Sequence, residues 1–582
     1  MKFLRKLNAV LATILAFLAS ASALDREAFT FTRYDLTVRL EPEQHRLGVR
    51  GRITLRNDST EPQHIAALQI SSTLNWRSIR AVTQAAAKSG EESKQSIPLQ
   101  FVTQPFASDI DHTSDLSEAI VTLPREVAPR ESVTLEIGYE GVVLLDATRL
   151  IRIGTPAAVA RHNDWDQIGT SFTAIRGIGY VAWYPVAMEA QSLADGDAMF
   201  VGLGKWKARH AESTMDIFFD VIANQLEKEP LVVCSGNNVP TVTKGGSDEI
   251  HGSLCTFESL NTVPSFAFAD YEAEEHPSFQ LYHSHGQTTI GFVSAGDEAL
   301  DLVRNWFGTP KEKIAVVELV DAGDAPFEAG RLLFVPFAHT DAQTARMLMV
   351  HQLTRASFSS PHPWIDEGAG YFAQALAREK QNGREAALDY MERHRAAVLQ
   401  VEKAATPSGG EPLVSATHEV FYRSKAALVW WMLRDMVGDA TLKKAIRAYD
   451  AGADHDPAYF QHVLEEQSKR DLTWFFRDWV YSDVGLPDFK ADSANARQGT
   501  GANFVTAVTI ENVGVAGAEV PVTIRTNNGD FTQRLEVRGK SKAVIRIATP
   551  AGPVEVVVND GSVPESDMSN NRLQIAKDEA LK

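Results

Sequence analysis

The sequence predicts a multidomain protein in which two β-rich regions flank a mixed α+β region. The chain has 582 residues, which is more than a single hydrophobic core usually serves. The hydrophobic period is two over the first part of the chain, becomes helical between Ala299 and Tyr481, and returns to two near the C-terminus. Apolar residues make up 44% of the chain and charged residues 23%, a balance typical of folded proteins.

The first residues have the pattern of a secretory signal. Lys2, Arg5 and Lys6 precede an apolar stretch from Ala9 to Ala19, and Ala21-Ser22-Ala23 forms a small-residue cleavage site. The apolar stretch is about half of the ~20 residues that a bilayer span requires, so it is too short for an anchor. We therefore predict that residues 1–23 are removed and that the protein is periplasmic or secreted, with no membrane span after signal removal.

The charge balance excludes two classes of partner. The formal net charge is −18, and an acidic surface repels phosphate backbones and anionic lipids. We therefore expect no nucleic-acid partner and no role at a membrane surface.

Residues 24–275 are predicted to form an N-terminal domain built on a large antiparallel β-sheet. Tyr34, Leu36, Val38 and Leu40 alternate with polar residues, which is typical of a strand with one buried face. Similar alternation recurs as far as Ala273.

The two cysteines of the chain, Cys234 and Cys255, lie in apolar runs on either side of a polar, Gly-rich stretch. We expect them at facing positions on the two arms of a long hairpin. In an oxidising compartment a disulfide is the favoured interpretation, and it would contribute about 3 kcal/mol in the chain-entropy model. A metal site is disfavoured because no second cysteine pair accompanies them.

Residues 276–490 are predicted to form an α+β domain with a small sheet packed on helices. Short apolar runs at Ile314 to Val320 and Leu332 to Phe337 predict strands. Helical periodicity covers Ala342 to Ala356, Ala369 to Arg378, Ala386 to Ala404 and Ser424 to Met436.

The end of the chain is predicted to be a β-sandwich that a polar linker separates from the rest. The linker covers 491–502, the sandwich 503–565 and a polar tail 566–582. Asn528-Gly529 between two alternating runs is a strong hairpin signal.

One pair of helices carries part of a metal-binding pattern. In the H-E-x-x-H pattern, two histidines on one helix face bind zinc, the Glu activates water, and a Glu on the next helix is the third ligand. The segment Val350 to Arg355, VHQLTR, has His351 at the first ligand position, Gln352 at the general-base position and Arg355 at the second ligand position. The third ligand position falls on Glu367, in WIDEG.

Four further segments occur in the order found in one family. They are APFEAGRLLF at 325–334, WIDEGAGYFAQ at 364–374, YRSKAALVWWML at 422–433 and LTWFFRDWVYSDVGLP at 472–487. With them, the chain resembles the aminopeptidase N-type zinc metallopeptidases over nearly all of its mature length. The resemblance implies a thermolysin-like fold for 276–490, zinc as the cofactor, and peptides or protein N-termini as partners.

The resemblance also implies roles for individual residues. His351 and Glu367 correspond to metal ligands, and Glu328 to the carboxylate that holds a peptide's α-ammonium. Tyr422 corresponds to the tyrosine that stabilises the tetrahedral oxyanion. Gln352 occupies the position of the catalytic general base.

Two hypotheses follow. Arg355 cannot coordinate zinc and Gln352 cannot accept a proton, so the first is a peptide-binding pseudopeptidase with zinc absent or weakly bound. In it, Arg355 occupies the space of the lost metal and pairs with Glu367. The second is an active zinc aminopeptidase that uses an unusual ligand set of His351, His362 and Glu367.

Overall fold

The structure is a computed structural model that describes residues 24–84, 94–222, 231–245, 248–404, 411–499 and 503–575. The chain divides into two compact units, Met1–Asp270 and Tyr271–Lys582. The predicted signal at 1–23 and the end of the predicted tail at 576–582 lie outside the described residues. Within the described ranges, no helix combines the length and the apolar character needed to cross a bilayer.

The first unit is rich in strands and contains three α-helices among its described residues. The strands are β1 Phe29–Glu41, β2 Arg46–Asn57, β3 Gln63–Ser71, β4 Leu74–Gln84, β5 Lys94–Pro98, β6 Phe101–Ala107, β7 Asp115–Val127, β8 Ser132–Val142, β9 Thr173–Ile175, β10 Thr214–Val221, β11 Leu231–Cys234, β12 Asn237–Gly245, β13 Asp248–Phe257 and β14 Phe266–Ala269. The helices are α1 Thr148–Arg152, α2 Ala157–Asn163 and α3 Ala198–Arg209.

The main sheet of this unit has the strand order β12-β13-β10-β1-β2-β8-β4-β5, and two smaller sheets have the orders β3-β7-β6 and β11-β14-β9. Tyr34, Leu36, Val38 and Leu40 are buried as their alternation predicts. However, β1 pairs in parallel with β10, with Tyr34 opposite Met215. The prediction of an antiparallel sheet is therefore wrong at this pairing, because the alternation within a strand does not specify the direction of its neighbour.

The predicted disulfide between Cys234 and Cys255 is confirmed, with a Cα–Cα distance of 6.5 Å. The prediction that the two cysteines lie on the two arms of one hairpin is wrong. Cys234 ends β11 and lies opposite Phe266, whereas Cys255 lies on β13 opposite Asn238 of β12. The hairpin is formed by β12 and β13, so the bond joins two sheets rather than two arms of one hairpin.

The second unit combines a small sheet, a set of helices and a second β-rich region. Its strands are β15 Glu272–Glu275, β16 Phe279–His283, β17 Ile314–Glu318, β18 Phe327–Ala329, β19 Leu332–Val335, β20 Phe489–Gln498, β21 Phe504–Asn512, β22 Ala518–Thr526, β23 Gly529–Val537, β24 Ser541–Thr549, β25 Pro553–Val558 and β26 Arg572–Gln574. Its helices are α4 Ile290–Trp306, α5 Ala342–Ser357, α6 Pro363–Ala404, α7 Ala426–Val437, α8 Asp439–Ala448, α9 Tyr459–Ser468 and α10 Thr473–Phe476. Two π-helical segments cover Val420–Lys425 and Arg477–Tyr481.

The small sheet has the order β15-β16-β17-β19-β18 and contains both strands predicted for this region. Because β15 pairs with β16, Glu272–Glu275 belongs to the second unit. The unit boundary therefore lies between Asp270 and Tyr271, and not after residue 275. A four-residue strand carries too little pattern to indicate which sheet it joins.

The C-terminal region forms two sheets, β20-β21-β24 and β23-β22-β25-β26. The hairpin predicted at Asn528-Gly529 is present, with Thr526 opposite Gly529. The predicted linker at 491–502 is wrong over its first part, because β20 occupies 489–498 and pairs with β21. The predicted polar tail also contains a strand, β26. Many side chains of β20 and β26 face solvent, so both strands have a polar composition. A linker has the same composition, and composition alone therefore does not distinguish an exposed strand from a linker.

Candidate functional site

The candidate site lies where β18, α5 and α6 meet in the second unit. Asp341 caps α5 by accepting hydrogen bonds from the backbone N–H groups of Gln343 and Thr344, both at 2.9 Å. Gly370 lets α6 approach α5 closely, because a Cβ at this position would lie 2.4 Å from His351 Cδ2. The glycine therefore holds the start of α6 against the imidazole.

His351 is 2% exposed and lies between two carboxylates. Its Nδ1 is 2.5 Å from Glu328 Oε2, and its Nε2 is 3.5 Å from Glu367 Oε2. Neither contact has hydrogen-bond geometry, so both are ion contacts. Burial lowers the pKa of His351, but Glu328 and Glu367 outweigh this effect and raise the pKa to about 9.

Arg355, one helical turn further along α5, contacts two carboxylates at the start of α6. Its Nη1 is 3.3 Å from Glu367 Oε1, and its Nε is 3.4 Å from Asp366 Oδ2. Burial lowers the pKa of Arg355, but Glu367 and Asp366 outweigh it and raise the pKa overall. Burial raises the pKa of Asp366 to about 6 against the opposing effect of Arg355. Glu367 thus has one basic neighbour on each side.

This donor set does not fit a tight zinc site. Structural and catalytic zinc ions take at least three Cys, His or carboxylate ligands in a tetrahedral arrangement. Here both imidazole nitrogens of His351 face carboxylates, and the guanidinium of Arg355 contacts Glu367. A guanidinium has no lone pair to give to a metal, and its positive charge opposes a cation beside it.

Two other predicted site residues have different surroundings. Gln352 is completely buried, and neither atom of its amide has a hydrogen-bond partner in the part of the chain that the structure describes. Tyr422 lies in the π-helical segment Val420–Lys425 and is partly buried. Burial raises the pKa of Tyr422, and the charges of Glu419 and Glu367 raise it further.

His362, proposed as an alternative zinc ligand, makes its ion contact elsewhere. Its Nε2 is 3.2 Å from Asp454 Oδ1, and the second oxygen of Asp454 accepts a hydrogen bond from Tyr449. His362 therefore pairs with a carboxylate other than those that contact His351 and Arg355.

Sequence reasoning missed two residues of the cluster, Asp366 and Tyr371. The ring of Tyr371 lies 4.7 Å from that of His351, centroid to centroid. Tyr371 follows Glu367 by four residues, and this spacing places both on one helix face. Asp366 directly precedes Glu367 in the WIDEG segment. The position of each residue relative to Glu367 could therefore have placed it in the cluster from the sequence.

No family model and no curated protein matches the chain. Among solved structures, it is similar to an M1 zinc metallopeptidase from Deinococcus radiodurans, with 17% identity over 78% of this chain and 94% of the other, at a TM-score of 0.47. A mutant M1 zinc metallopeptidase from the same organism, bound to a Tyr-Ser-Ala substrate, gives 16% identity with the same coverage and TM-score. Over most of its length, the chain is thus similar to solved M1 zinc metallopeptidases, the type of family that its motifs resemble.

Proposed function

We propose that the chain is an exported peptide-binding protein with an aminopeptidase-like architecture, including a thermolysin-like arrangement of 276–490, and without zinc-dependent hydrolysis. The contact that carries this proposal is the one between Arg355 Nη1 and Glu367 Oε1, at 3.3 Å. It places a permanent cation against the carboxylate that a metal would require. The disulfide supports export because disulfides persist in oxidising compartments.

The chemistry of Gln352 supports the same proposal. An amide cannot take a proton from water near neutral pH, and general-base catalysis typically contributes about 10²–10⁴-fold in rate. Losing the base together with a metal ligand leaves this site no strong means of activating water. Peptide binding does not need either group.

Glu328 is the residue that would receive the ligand's α-ammonium. It is about one-fifth exposed and lines a cavity beside the ion cluster. A carboxylate in this position attracts an ammonium through charge-assisted hydrogen bonds.

The first test is the metal content of the mature protein. Elemental analysis after dialysis is expected to give far less than one zinc per chain. Peptides with free amino termini are expected to remain intact, with or without a chelator. About one zinc per chain, or hydrolysis that a chelator abolishes, would refute the proposal and favour the ligand set that includes His362.

The second test is peptide binding by calorimetry. N-acetylation of a peptide removes its positive charge and is expected to weaken binding about tenfold, as is Glu328→Gln in the protein. Glu392→Gln is the matched control because Glu392 pairs with Arg395 on α6 and does not line the cavity. Equal binding of free and acetylated peptides would contradict the role of Glu328.

A further inference from the structure

A cavity of about 630 Å³ adjoins the ion cluster in the second unit. This volume is within the range of small-ligand sites in proteins. Side chains from β18, α5, α6 and the π-helical segment line it: Glu328, Gln343, Thr344, Met347, Leu348, Tyr371, Gln374, Arg378, Asp389, Tyr390, Arg393, His394 and Arg423.

A break in α6 at Gly383 brings distant residues to this cavity. Gly383 has φ 84° and ψ 178°, a conformation open to glycine and strained for other residues. A straight helix would separate Arg378 from Arg393 by about 22 Å along its axis. Instead, the two limbs of α6 line the same cavity, and Tyr390 on the second limb donates a hydrogen bond to Gln374 on the first.

Several neutral polar groups of the cavity wall bond to neighbouring protein groups. Gln374 Nε2 donates to the carbonyl oxygen of Met347 at 2.8 Å, and Gln374 Oε1 accepts a hydrogen bond from the Tyr390 hydroxyl. His394 Nδ1 lies 3.0 Å from Ser424 Oγ. Burial lowers the pKa of His394 to about 3, with the charges of Arg423 and Arg393 adding to the effect, so this imidazole is neutral.

The charges on the wall are predominantly positive. Glu328 Oε2 contacts His351 Nδ1, and Arg423 pairs with Glu419. In the described part of the chain, Arg378 and Arg393 form no ion pair with a carboxylate. Asp389 is exposed and is the remaining acidic residue of the lining. Two arginines are thus available to an anionic ligand.

We propose that this cavity binds the C-terminal carboxylate of a short peptide through Arg378 and Arg393. A guanidinium forms paired, charge-assisted hydrogen bonds with a carboxylate. The inference rests on the proposed peptide-binding function, in which Glu328 receives the amino terminus. It adds that the ligand is a short peptide with a free carboxylate, since both ends must reach one cavity.

The test compares three probes in calorimetry with the full mature chain: trialanine, trialanine amide and N-acetyl-trialanine. Amidation removes the negative charge and is expected to weaken binding at least about tenfold. The double variant Arg378→Gln with Arg393→Gln is expected to bind trialanine about tenfold more weakly and to lose the preference for acid over amide. Circular dichroism checks that the variant is folded.

The matched control is Arg395→Gln. Arg395 follows Arg393 on the same limb of α6, pairs with Glu392 at 2.7 Å and does not line the cavity. It is expected to bind all three probes as the unmodified chain does.

The three probes distinguish failure of the carboxylate site from failure of the proposed peptide-binding function. Equal binding of trialanine and its amide, with N-acetyl-trialanine still weaker, would overturn the carboxylate site and leave the peptide-binding function intact. A folded double variant that keeps the preference for the free acid would also overturn the site. Failure of all three probes to bind would overturn both proposals.

Discussion

Arg355 illustrates how a single residue sets the electrostatics of the candidate site. A zinc ion exchanges with solvent, whereas a guanidinium is permanently attached and permanently charged. Together with protonated His351, Arg355 places two positive charges among Glu328, Asp366 and Glu367. The carboxylates are therefore compensated without a metal.

Replacing Arg355 is expected to destabilise the protein. Arg355→Ala removes the basic neighbour of Asp366 and one of the two beside Glu367, and it should lower the free energy of unfolding by about 2 kcal/mol. We expect less than the 3–5 kcal/mol typical of a fully buried pair because the side chain is 19% exposed. Urea denaturation at pH 7 measures the change. Arg395→Ala is the control and should cost under about 1 kcal/mol, because the partner of Arg395 is Glu392, an exposed residue on the same helix.

Restoring the missing groups should restore metal binding before activity. Arg355→His with Gln352→Glu completes the H-E-x-x-H pattern on α5 and removes the opposing cation. We expect elemental analysis to find zinc in this double variant and little in Gln352→Glu alone. Peptide hydrolysis is expected to remain low in this double variant even where zinc is bound. Equal zinc content in the two variants would show that Arg355 is not what prevents binding.

His210 in the first unit is expected to make stability depend on pH. Burial lowers its pKa to about 4, below the value of about 6.5 in an unfolded chain. Protonation therefore favours unfolding: the contribution is complete above pH 6.5 and is lost as the pH falls from 6.5 to 4. The loss amounts to about 3 kcal/mol.

His210→Phe tests this expectation because a phenyl ring can keep the stacking on Trp206. The variant should show a shallower decline in the free energy of unfolding between pH 6.5 and 4. Parallel curves for the two proteins would mean that His210 is not buried in its neutral form.

Among the elements, α6 depends most on one backbone conformation. Its two limbs line one cavity only because the chain turns at Gly383. Nothing lies within 4 Å of a Cβ added there, so a substitution meets no steric obstacle. The cost of replacing this glycine is therefore a backbone cost.

Gly383→Ala is expected to lower the free energy of unfolding by about 1–3 kcal/mol, the usual cost of a residue held in a strained conformation. Denaturant titration measures it. Gly291→Ala, in α4, is the control, since Gly291 has an ordinary φ and equally open surroundings, and alanine should be neutral or stabilising there. A neutral effect at Gly383 would indicate that the break can straighten.

The disulfide acts between elements, because it joins β11 to β13 across two sheets. Replacing both Cys234 and Cys255 by Ala should cost about 3 kcal/mol, mainly by releasing the unfolded chain from a closed loop. Thermal unfolding of the variant and of the oxidised protein measures the effect. An unchanged melting temperature would assign the bond no role in stability.

At the scale of the whole molecule, the helices and the C-terminal sandwich of the second unit form one folded body. A single apolar core includes Trp479 of the helical region and Val508 of β21. Trp479 Nε1 donates to the carbonyl oxygen of Gly517 at 2.7 Å, and the Gly517 N–H donates to Asp478 at 3.0 Å. Asp435 of α7 contacts Arg534 of β23 at 3.1 Å.

We therefore expect that the sandwich cannot be removed. A chain that ends at Pro487 would expose the apolar surface around Trp479 and should aggregate or unfold, as gel filtration and circular dichroism would reveal. If the sandwich were an independent domain joined by a linker, the truncated chain would stay soluble and monomeric. That result would contradict the conclusion that the helices and the sandwich share one apolar core.

The sequence by itself determined the features that repeat along the chain. Alternation identified strands such as β1, helical periodicity identified α5, and Asn528-Gly529 identified a hairpin, because local spacing decides which side chains share a face. The residue types at His351, Gln352 and Arg355 also predict that this site does not hold zinc tightly, and elemental analysis is the test of that prediction. Those conclusions depend on chemistry that each residue carries into any fold.

Only the tertiary structure decided what distant residues do together. It paired β1 with β10 in parallel, placed Cys234 and Cys255 on different sheets, and turned the predicted linker into β20. It also brought Arg378 and Arg393 to one cavity through the break at Gly383. Strand direction, sheet membership and side-chain convergence arise from contacts between distant segments, and local hydrophobic patterns do not specify those contacts.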